Sequence, residues 1–340
     1  MPYNVVHRQG IDRATAANRR PEESLQTPAG PECAFIVGHR KSGSTWLLNL
    51  LSLHPDVRGV METHLFRHGW QETDPASRVD KLFEQTPWGA GGPRQWPVHQ
   101  MKRLAKPFLL RVKPALRLAP DERPAELPDL GLLDQLALRR ELRRIGTPEE
   151  FVQRFFEILL ERLRPRRYLI EKSPRNVYFV ERIRSLFPRA KLIVIYRDGR
   201  DVVVSDRFFT EDYGNRSFSF EQAVADWRRD METHLRYAEG HTLCAVSYEA
   251  LLTDGKPVVE SLLRFLGLPY DDALVADLLE RSSFRFHAGR ERGQENRKRF
   301  YRKGIVGDWR NHFTPEHKRI FKDVAGDMLI RLGYEKDLDW

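Results

Sequence analysis

Ala34-Phe35-Ile36-Val37 is an apolar run that stops at Gly38, turns through His39-Arg40-Lys41-Ser42-Gly43-Ser44-Thr45 and resumes as Trp46-Leu47-Leu48-Asn49-Leu50-Leu51. A short apolar run bounded by glycine reads as a buried strand, and the longer run after the turn reads as a helix. A strand that feeds straight into a helix favours a crossover to a parallel partner over a hairpin. Val57 to Met61, after His54-Pro55-Asp56, supplies that partner, so this stretch predicts a βαβ unit.

The alternation continues. Thr147-Pro148-Glu149-Glu150 puts Thr at an N-cap, Pro at the first helical position and Glu at the third, the start of a helix reaching about Arg164. Arg167 to Ile170 reads as a strand, and a helix from near Asn176 to Leu186 leads to Lys191-Leu192-Ile193-Val194-Ile195-Tyr196, whose β-branched run suits burial on both faces. Leu243 to Val246 is a further strand, with helices near 256–267, 271–281 and 315–332. Strands alternating with helices predict an α/β fold, a parallel sheet flanked by helices in three layers. We expect residues 31–340 to form a single domain behind a disordered or extended leader at 1–30. From about Gly69 to Arg143 the pattern loosens, with recurring prolines, a turn at Gly89-Ala90-Gly91-Gly92-Pro93 and a basic stretch from Lys102 to Arg117. This predicts a helical insertion at about 69–146, either over the site or as a peripheral subdomain.

Lys and Arg number 57 against 48 Asp and Glu, a formal +9, which fits a partner carrying negative charge. Nucleic acid, anionic membrane, acidic glycan and a multiply phosphorylated nucleotide all qualify, and solvated arginines on helix faces account for part of the excess. No nucleic-acid module signature is visible, so nucleic acid is not the expected partner. Cys33 and Cys244 are far apart and outside any CxxC spacing, so neither a disulfide framework nor a cysteine zinc site is expected, and a cytoplasmic setting follows. The first residues lack the apolar core of a signal peptide, and no later run has the length of a membrane span.

The turn Gly38 to Thr45 lies between strand and helix, where backbone N–H groups and the helix N-terminus converge on an anion. Its glycines are spaced as in a Walker A loop, yet Ser44 stands where the lysine belongs and Lys41 lies three residues earlier. That displacement disfavours a P-loop nucleotide kinase, as does the want of an acidic magnesium ligand after a later strand, unless Glu171 serves. The kinase and a non-catalytic nucleic-acid-binding protein remain the alternatives. Further on, Arg197 leaves the carboxyl end of the Lys191–Tyr196 strand and Ser205 follows eight residues later, at the edge where parallel sheets bind ligands. Asp198 and Asp201 offer those arginines a purely structural ion network instead.

Lys41-Ser42-Gly43-Ser44-Thr45-Trp46 resembles the 5′-phosphosulfate loop, K-S-G-T-T-W, of sulfotransferases that use 3′-phosphoadenosine 5′-phosphosulfate (PAPS), with Ser44 in place of Thr. Arg197 with Ser205 resembles the 3′-phosphate element of the same family. Phe300-Tyr301-Arg302-Lys303-Gly304-Ile305-Val306-Gly307-Asp308-Trp309-Arg310-Asn311-His312-Phe313-Thr314 is similar to the signature R-K-G-x-x-G-D-W-K-N-x-F-T. Two shorter pieces, Ser247-Tyr248-Glu249-Ala250-Leu251 and Ser283-Phe284, resemble an S-Y-E-x-L segment and an adenine-edge segment. The matches run in family order from residue 34 to 314 and leave the leader and most of 69–146 uncovered.

The resemblance implies a P-loop-type sheet and a transfer of the sulfuryl group from PAPS to an acceptor hydroxyl or amine, releasing PAP, with no metal required. Ser42, Gly43, Ser44 and Thr45 would hold the 5′-phosphate and Trp46 would face the adenine or stay in the core. Tyr248 and Phe284 would edge the adenine, and Arg302, Lys303 and Gly304 would close over the 3′-phosphate. Lys41 and Lys172 would neutralise charge at the reacting centre, unless Lys172 is a plain strand-end lysine. The K-T-H-x-P segment of small-molecule members reads Lys172-Ser173-Pro174 here, without its histidine. Glycan-type members instead share E-K-[ST]-P with Glu171 to Pro174 and E-x-H-F-F with Glu62-Thr63-His64-Leu65-Phe66. Glu62 is then the expected general base, with His64 orienting the acceptor or taking the role itself, unless Glu62 is only a salt-bridge partner. Arg67 departs from the acidic residue of some glycan enzymes. The expected acceptor is a glycan or small molecule, anionic ones included, and no oligomeric state is expected from the sequence.

Overall fold

Five strands, β1 (Glu32–Gly38), β2 (Val57–Met61), β3 (Tyr168–Lys172), β4 (Lys191–Tyr196) and β5 (Cys244–Ser247), pair in the order β2-β3-β1-β4-β5. Every pairing is parallel. This is the predicted α/β sheet flanked by helices. The computed structural model describes residues 30–85, 132–213, 217–240, 243–296 and 301–340. The leader, the turn at 89–93, the basic stretch at 102–117 and Phe300 lie outside them.

Register decides what meets at the carboxyl edge. Met61 and Ile36 both lie opposite Lys172, and Gly38 lies opposite Ile195. The residues that follow β1, β2 and β4 therefore emerge side by side, next to the end of β3. β3 runs past the predicted end at Ile170 because Glu171 and Lys172, although charged, are buried in the ladder.

α1 (Ser44–Ser52) follows the glycine turn, and α2 (Leu65–Gln71) follows β2. α3 (Pro75–Gln85) and α4 (Leu132–Leu142) flank the undescribed part of the insertion, and α5 (Pro148–Leu163) starts on the predicted Thr147 cap, whose hydroxyl accepts from Glu150 N at 3.2 Å. The helix expected at 176–186 divides into a 3-10 turn (Pro174–Phe179) and α6 (Val180–Leu186). Two helices beyond the sequence expectation follow β4, α7 (Gly199–Tyr213) and α8 (Phe220–Gly240). The remaining helices are α9 (Tyr248–Thr253), α10 (Gly255–Leu266), α11 (Asp272–Arg281), α12 (Phe284–Ala288) and α13 (Pro315–Arg331).

Alternation along β1 divides the core. Cys33, Phe35 and Val37 point to a layer built with Phe66, Phe156 and Leu159, while Ala34 and Ile36 point to one built with Leu47, Leu48 and Leu262. Val79, Leu82 and Phe83 of α3 and Leu138 and Leu142 of α4 join the first layer, so the described flanks of the insertion pack into the domain. Beyond β4, Trp227, Met231, Phe321 and Met328 form a third cluster between α8 and α13. Both cysteines are buried free thiols whose pKa burial pushes up to about 12, which leaves them unreactive. No helix among the described residues is long and apolar enough to cross a membrane.

Candidate active site

The β1–α1 turn is fixed by close contacts that only glycine permits. A Cβ on Gly38 (φ +145) would stand 2.4 Å from the Ile195 carbonyl oxygen, and one on Gly43 (φ +93) would stand 2.6 Å from the Tyr248 ring. Lys41 also takes a left-handed backbone, φ 66. The turn thus curls over the first amides of α1, which have no acceptor within their own helix. The hydroxyl of Ser42 is buried and has no hydrogen-bond partner among the described residues. An orphaned donor on a curled, amide-rich turn fits a phosphate-like anion. The Lys41 ammonium lies 4.3 Å from the Phe209 ring centre, and burial pushes its pKa down to about 8, so it retains its charge at neutral pH. Arg40 pairs with Asp206, and His39 Nδ1 lies 2.6 Å from Asp230 Oδ2.

Arg197 leaves β4 beside this turn. It donates to the Lys41 carbonyl at 3.4 Å and to the Ile305 carbonyl at 3.1 Å, and its guanidinium lies 4.2 Å from the Tyr248 ring centre. Its Nε is buried without a partner among the described residues. The 301–309 loop is clasped to the same edge by Asp201, which accepts from Gly307 N at 2.7 Å and Trp309 N at 2.9 Å. Ser205 is one helical turn beyond Asp201 on α7, and Arg302 covers the Phe208 ring at 4.5 Å on the same helix. Three separated stretches therefore meet beside the Lys41 turn. The alternative of a structural ion network is realised as well, in the Arg197–Asp201 pair at 3.6 Å and the buried Arg200–Asp198 pair at 2.8 Å.

Asp308 draws in the two loop cations, with Arg302 Nη2 at 2.5 Å and Lys303 Nζ at 2.6 Å. Burial opposes its charge, but the hydrogen bonds from Lys303 and Arg302 prevail and hold its carboxyl below the usual carboxylate range. Gly304 (φ +66) faces Phe284, whose ring atom would lie 2.5 Å from an added Cβ. Gly304→Ala is expected to cost about 1–3 kcal/mol of loop strain, as a lowered melting temperature in calorimetry would show. Trp46 meets Tyr248 edge-on at 5.5 Å, and Asn49 reaches the Tyr301 hydroxyl at 3.1 Å. Tyr301 in turn lies 6.3 Å from Phe284, so aromatic rings from four segments line one side of the site.

At the ends of β2 and β3, Lys172 Nζ lies 2.5 Å from Glu62 Oε1, and His64 Nε2 lies 3.7 Å from Glu62 Oε2. The Lys172 side chain is 1% exposed and that of Glu62 46% exposed, so the carboxylate forms the open end of the pair. Burial alone would raise the pKa of Glu62; the Lys172 ammonium outweighs it and holds it below the ordinary value. Burial lowers the pKa of His64 against the pull of Glu62, which favours the neutral ring. Lys172 is therefore the partner of the expected base, and no surface lysine. Both oxygens of Glu171 accept hydrogen bonds from Thr63, Ser173 and Asn176, and burial pushes its carboxyl up to about 7. Those bonds occupy both of its oxygens and make it part of the frame. Among the described residues no cluster of three or more His, Cys, Asp or Glu side chains is arranged to hold a metal ion.

Asp201, Asp308 and Glu171 are the residues whose work residue patterns did not reveal. Each acts through donors that only the fold brings to it: Asp201 through the distant amides of Gly307 and Trp309, Glu171 through Thr63 as well as Ser173 and Asn176, and Asp308 through Arg302 and Lys303 of its own loop.

A sequence model of the family described as "Sulfotransferase family" matches residues 33–272. The chain is 29% identical over 195 residues to the 3-beta-hydroxysteroid sulfotransferase of Cavia porcellus, an alignment covering 49% of this chain and 67% of that protein. It is 24% identical over 330 residues to protein-tyrosine sulfotransferase 1 of Danio rerio, covering 94% and 78% respectively. The solved sulfotransferase domain from the curacin biosynthetic pathway superposes with a TM-score of 0.54 at 18% identity, over 88% of this chain and 97% of that one.

Proposed function

This chain belongs to the sulfotransferase family, and on that premise we propose that it transfers a sulfuryl group from PAPS to an acceptor hydroxyl or amine, with Glu62 taking the acceptor proton. The Lys172–Glu62 pair at 2.5 Å, placed by strand register beside the Lys41 turn, is the observation that carries this reading. In the binding mode we propose, Ser42, Gly43, Ser44 and Thr45 cradle the 5′-phosphate. Arg197, Ser205, Arg302, Lys303 and Gly304 hold the 3′-phosphate, with Arg302 and Lys303 exchanging Asp308 for it. Trp46, Tyr248 and Phe284 enclose the adenine.

Transfer then proceeds in line. The acceptor oxygen or nitrogen attacks sulfur while the bond from sulfur to the 5′-phosphate oxygen breaks, and PAP leaves. Lys41 steadies the charge on the departing oxygen, and Lys172 turns from Glu62 to the sulfonate. Once Lys172 has turned away, burial is the main influence left on Glu62, and burial raises its pKa. The base thus strengthens when the donor is in place. His64, held neutral beside it, orients the acceptor.

The names of the two relatives point to hydroxyl acceptors, a steroid alcohol in one and a tyrosine in the other. A glycan or small-molecule hydroxyl is our reading for this chain, and its two buried free thiols suit the cytoplasm.

A thermal melt with PAP, ADP and AMP tests the nucleotide half. A ligand at 100 times its Kd stabilises the native state by about 2.7 kcal/mol, so PAP is expected to raise Tm by several degrees beyond ADP or AMP at equal concentration. Equal shifts from PAP and ADP would remove the 3′-phosphate assignment. A screen with labelled PAPS against phenols, alcohols, amines and glycans then identifies the acceptor.

A further inference from the structure

Glu171 is a carboxylate with 0% exposure, one residue before Lys172. Its Oε1 accepts from Thr63 N at 3.2 Å, Thr63 Oγ1 at 3.0 Å and Ser173 Oγ at 2.6 Å, while Oε2 accepts from Asn176 Nδ2 at 2.8 Å. The same hydroxyls reach further. Ser173 Oγ accepts from His64 N at 3.2 Å, and Thr63 Oγ1 accepts from Leu65 N at 3.3 Å. One buried carboxylate thus governs, directly or through one hydroxyl, the amides of three consecutive residues after Glu62.

Those residues need the support. Glu62 and His64 both have left-handed backbones, φ 50 and φ 49, a conformation that side chains with a Cβ disfavour. Such a turn persists only where its surroundings over-determine it. On one side Glu62 N is tied to the Lys172 carbonyl at 2.7 Å, and on the other Thr63 and His64 are tied to Glu171 and Ser173. With both sides fixed, the Glu62 carboxylate is directed outward while its backbone stays in the frame.

We propose that Glu171 is the positioning residue of this site: through Thr63 and Ser173 it fixes the left-handed turn at 62–64 and so aims Glu62 at the acceptor, touching no substrate itself. This rests on the reading of Glu62 as the base. An anchor that merely stabilised the sheet edge would, when lost, weaken nucleotide binding and turnover together. A positioning residue acts on kcat alone.

The test uses the full chain, PAPS and the acceptor selected by the labelled-PAPS screen. Glu171→Leu is expected to lower kcat about ten- to hundredfold while PAP affinity and acceptor KM stay within about twofold, as for a displaced reacting group. Glu171→Gln is expected to recover most of the loss, because its amide oxygen still accepts from Thr63 and Ser173 and Asn176 can turn its own amide to match. In a Glu62→Gln background, Glu171→Leu is expected to add nothing, since both changes act through one carboxylate. Full kcat in Glu171→Leu, equal losses of kcat and PAP affinity, or Glu171→Gln as slow as Glu171→Leu would each overturn the proposal. If Glu171→Leu fails to fold, Ser173→Ala decides: kcat is expected to fall with PAP affinity held, and an unchanged kcat counts against the idea. Glu62→Gln alone separates the two readings. Its full turnover would remove the base, whereas its loss beside an unaffected Glu171→Leu would remove only the positioning role.

Discussion

Glu62→Gln is expected to slow sulfuryl transfer by about 10²–10⁴, the range that a positioned general base supplies. PAP affinity should be nearly unchanged, because in the proposed binding mode the 3′-phosphate and adenine contacts come from the end of β4, from α1, α7, α9 and α12 and from the 301–309 loop rather than from β2. The two halves of the prediction discriminate in different directions. A lost base shows as reduced kcat with the nucleotide still bound; a disturbed fold shows as loss of both. In the free protein Lys172, 2.5 Å away, holds the Glu62 carboxylate ionised, so kcat/KM should not fall through this group as the pH is lowered from 7 to the ordinary carboxylate range, whereas kcat, which reports the complex in which Lys172 has turned away, should fall at a higher pH than kcat/KM does. The glutamine variant cannot accept the proton at any pH, and added carboxylate ions such as formate should restore part of its rate. A variant at wild-type turnover would transfer the base role to His64, 3.7 Å away.

How much of this was legible beforehand follows from where burial leaves a trace in residue type. β1 and β4 are covered on both faces, so each is written as an uninterrupted apolar run and could be read to within two residues. β3 hides its last two residues, Glu171 and Lys172, behind polar partners, and hydropathy ends the strand early. The glycines of the phosphate turn were readable because backbone curvature needs glycine locally. The clasp from Asp201 to Gly307 and Trp309 was not, since a carboxylate in the first turn of a helix looks the same whether it faces solvent or a loop over a hundred residues away. Asp308 lies between these cases: the motif contained it, but its grip on Arg302 and Lys303 emerges only in three dimensions. The Glu171 hub is the extreme, because its donors come from two strand ends brought level only by parallel register. For the insertion, a broken pattern signalled a boundary, while the apolar faces of α3 and α4 that join the core were too short to stand out.

Lys41→Met should lower kcat by about 10²–10³, the cost of removing one preorganised charge from a developing anion. It should also abolish a pH dependence that wild type is expected to show. In the free protein burial pushes the Lys41 pKa down to about 8, so the ammonium is intact at pH 7 and half lost near pH 8. In the proposed binding mode PAP places phosphate oxygens against the turn, and an anion favours the charged form. Binding above pH 8 must therefore take up a proton. By linkage, PAP affinity is level in Lys41 from pH 7 downward and falls as pH rises past about 8, by up to about tenfold per unit, until the complex itself deprotonates. Isothermal titration in buffers of different ionisation enthalpy would register the proton directly. The methionine keeps the length and packing of the aliphatic stem near Phe209 and removes the charge, and the melting temperature of the variant, measured beside wild type, separates a lost charge from a disturbed turn. A variant that melts normally, binds PAP with no slope between pH 7 and 9 and transfers slowly would place the ammonium on the departing phosphate oxygen. A slope that survives the substitution would assign the proton to another group at the turn.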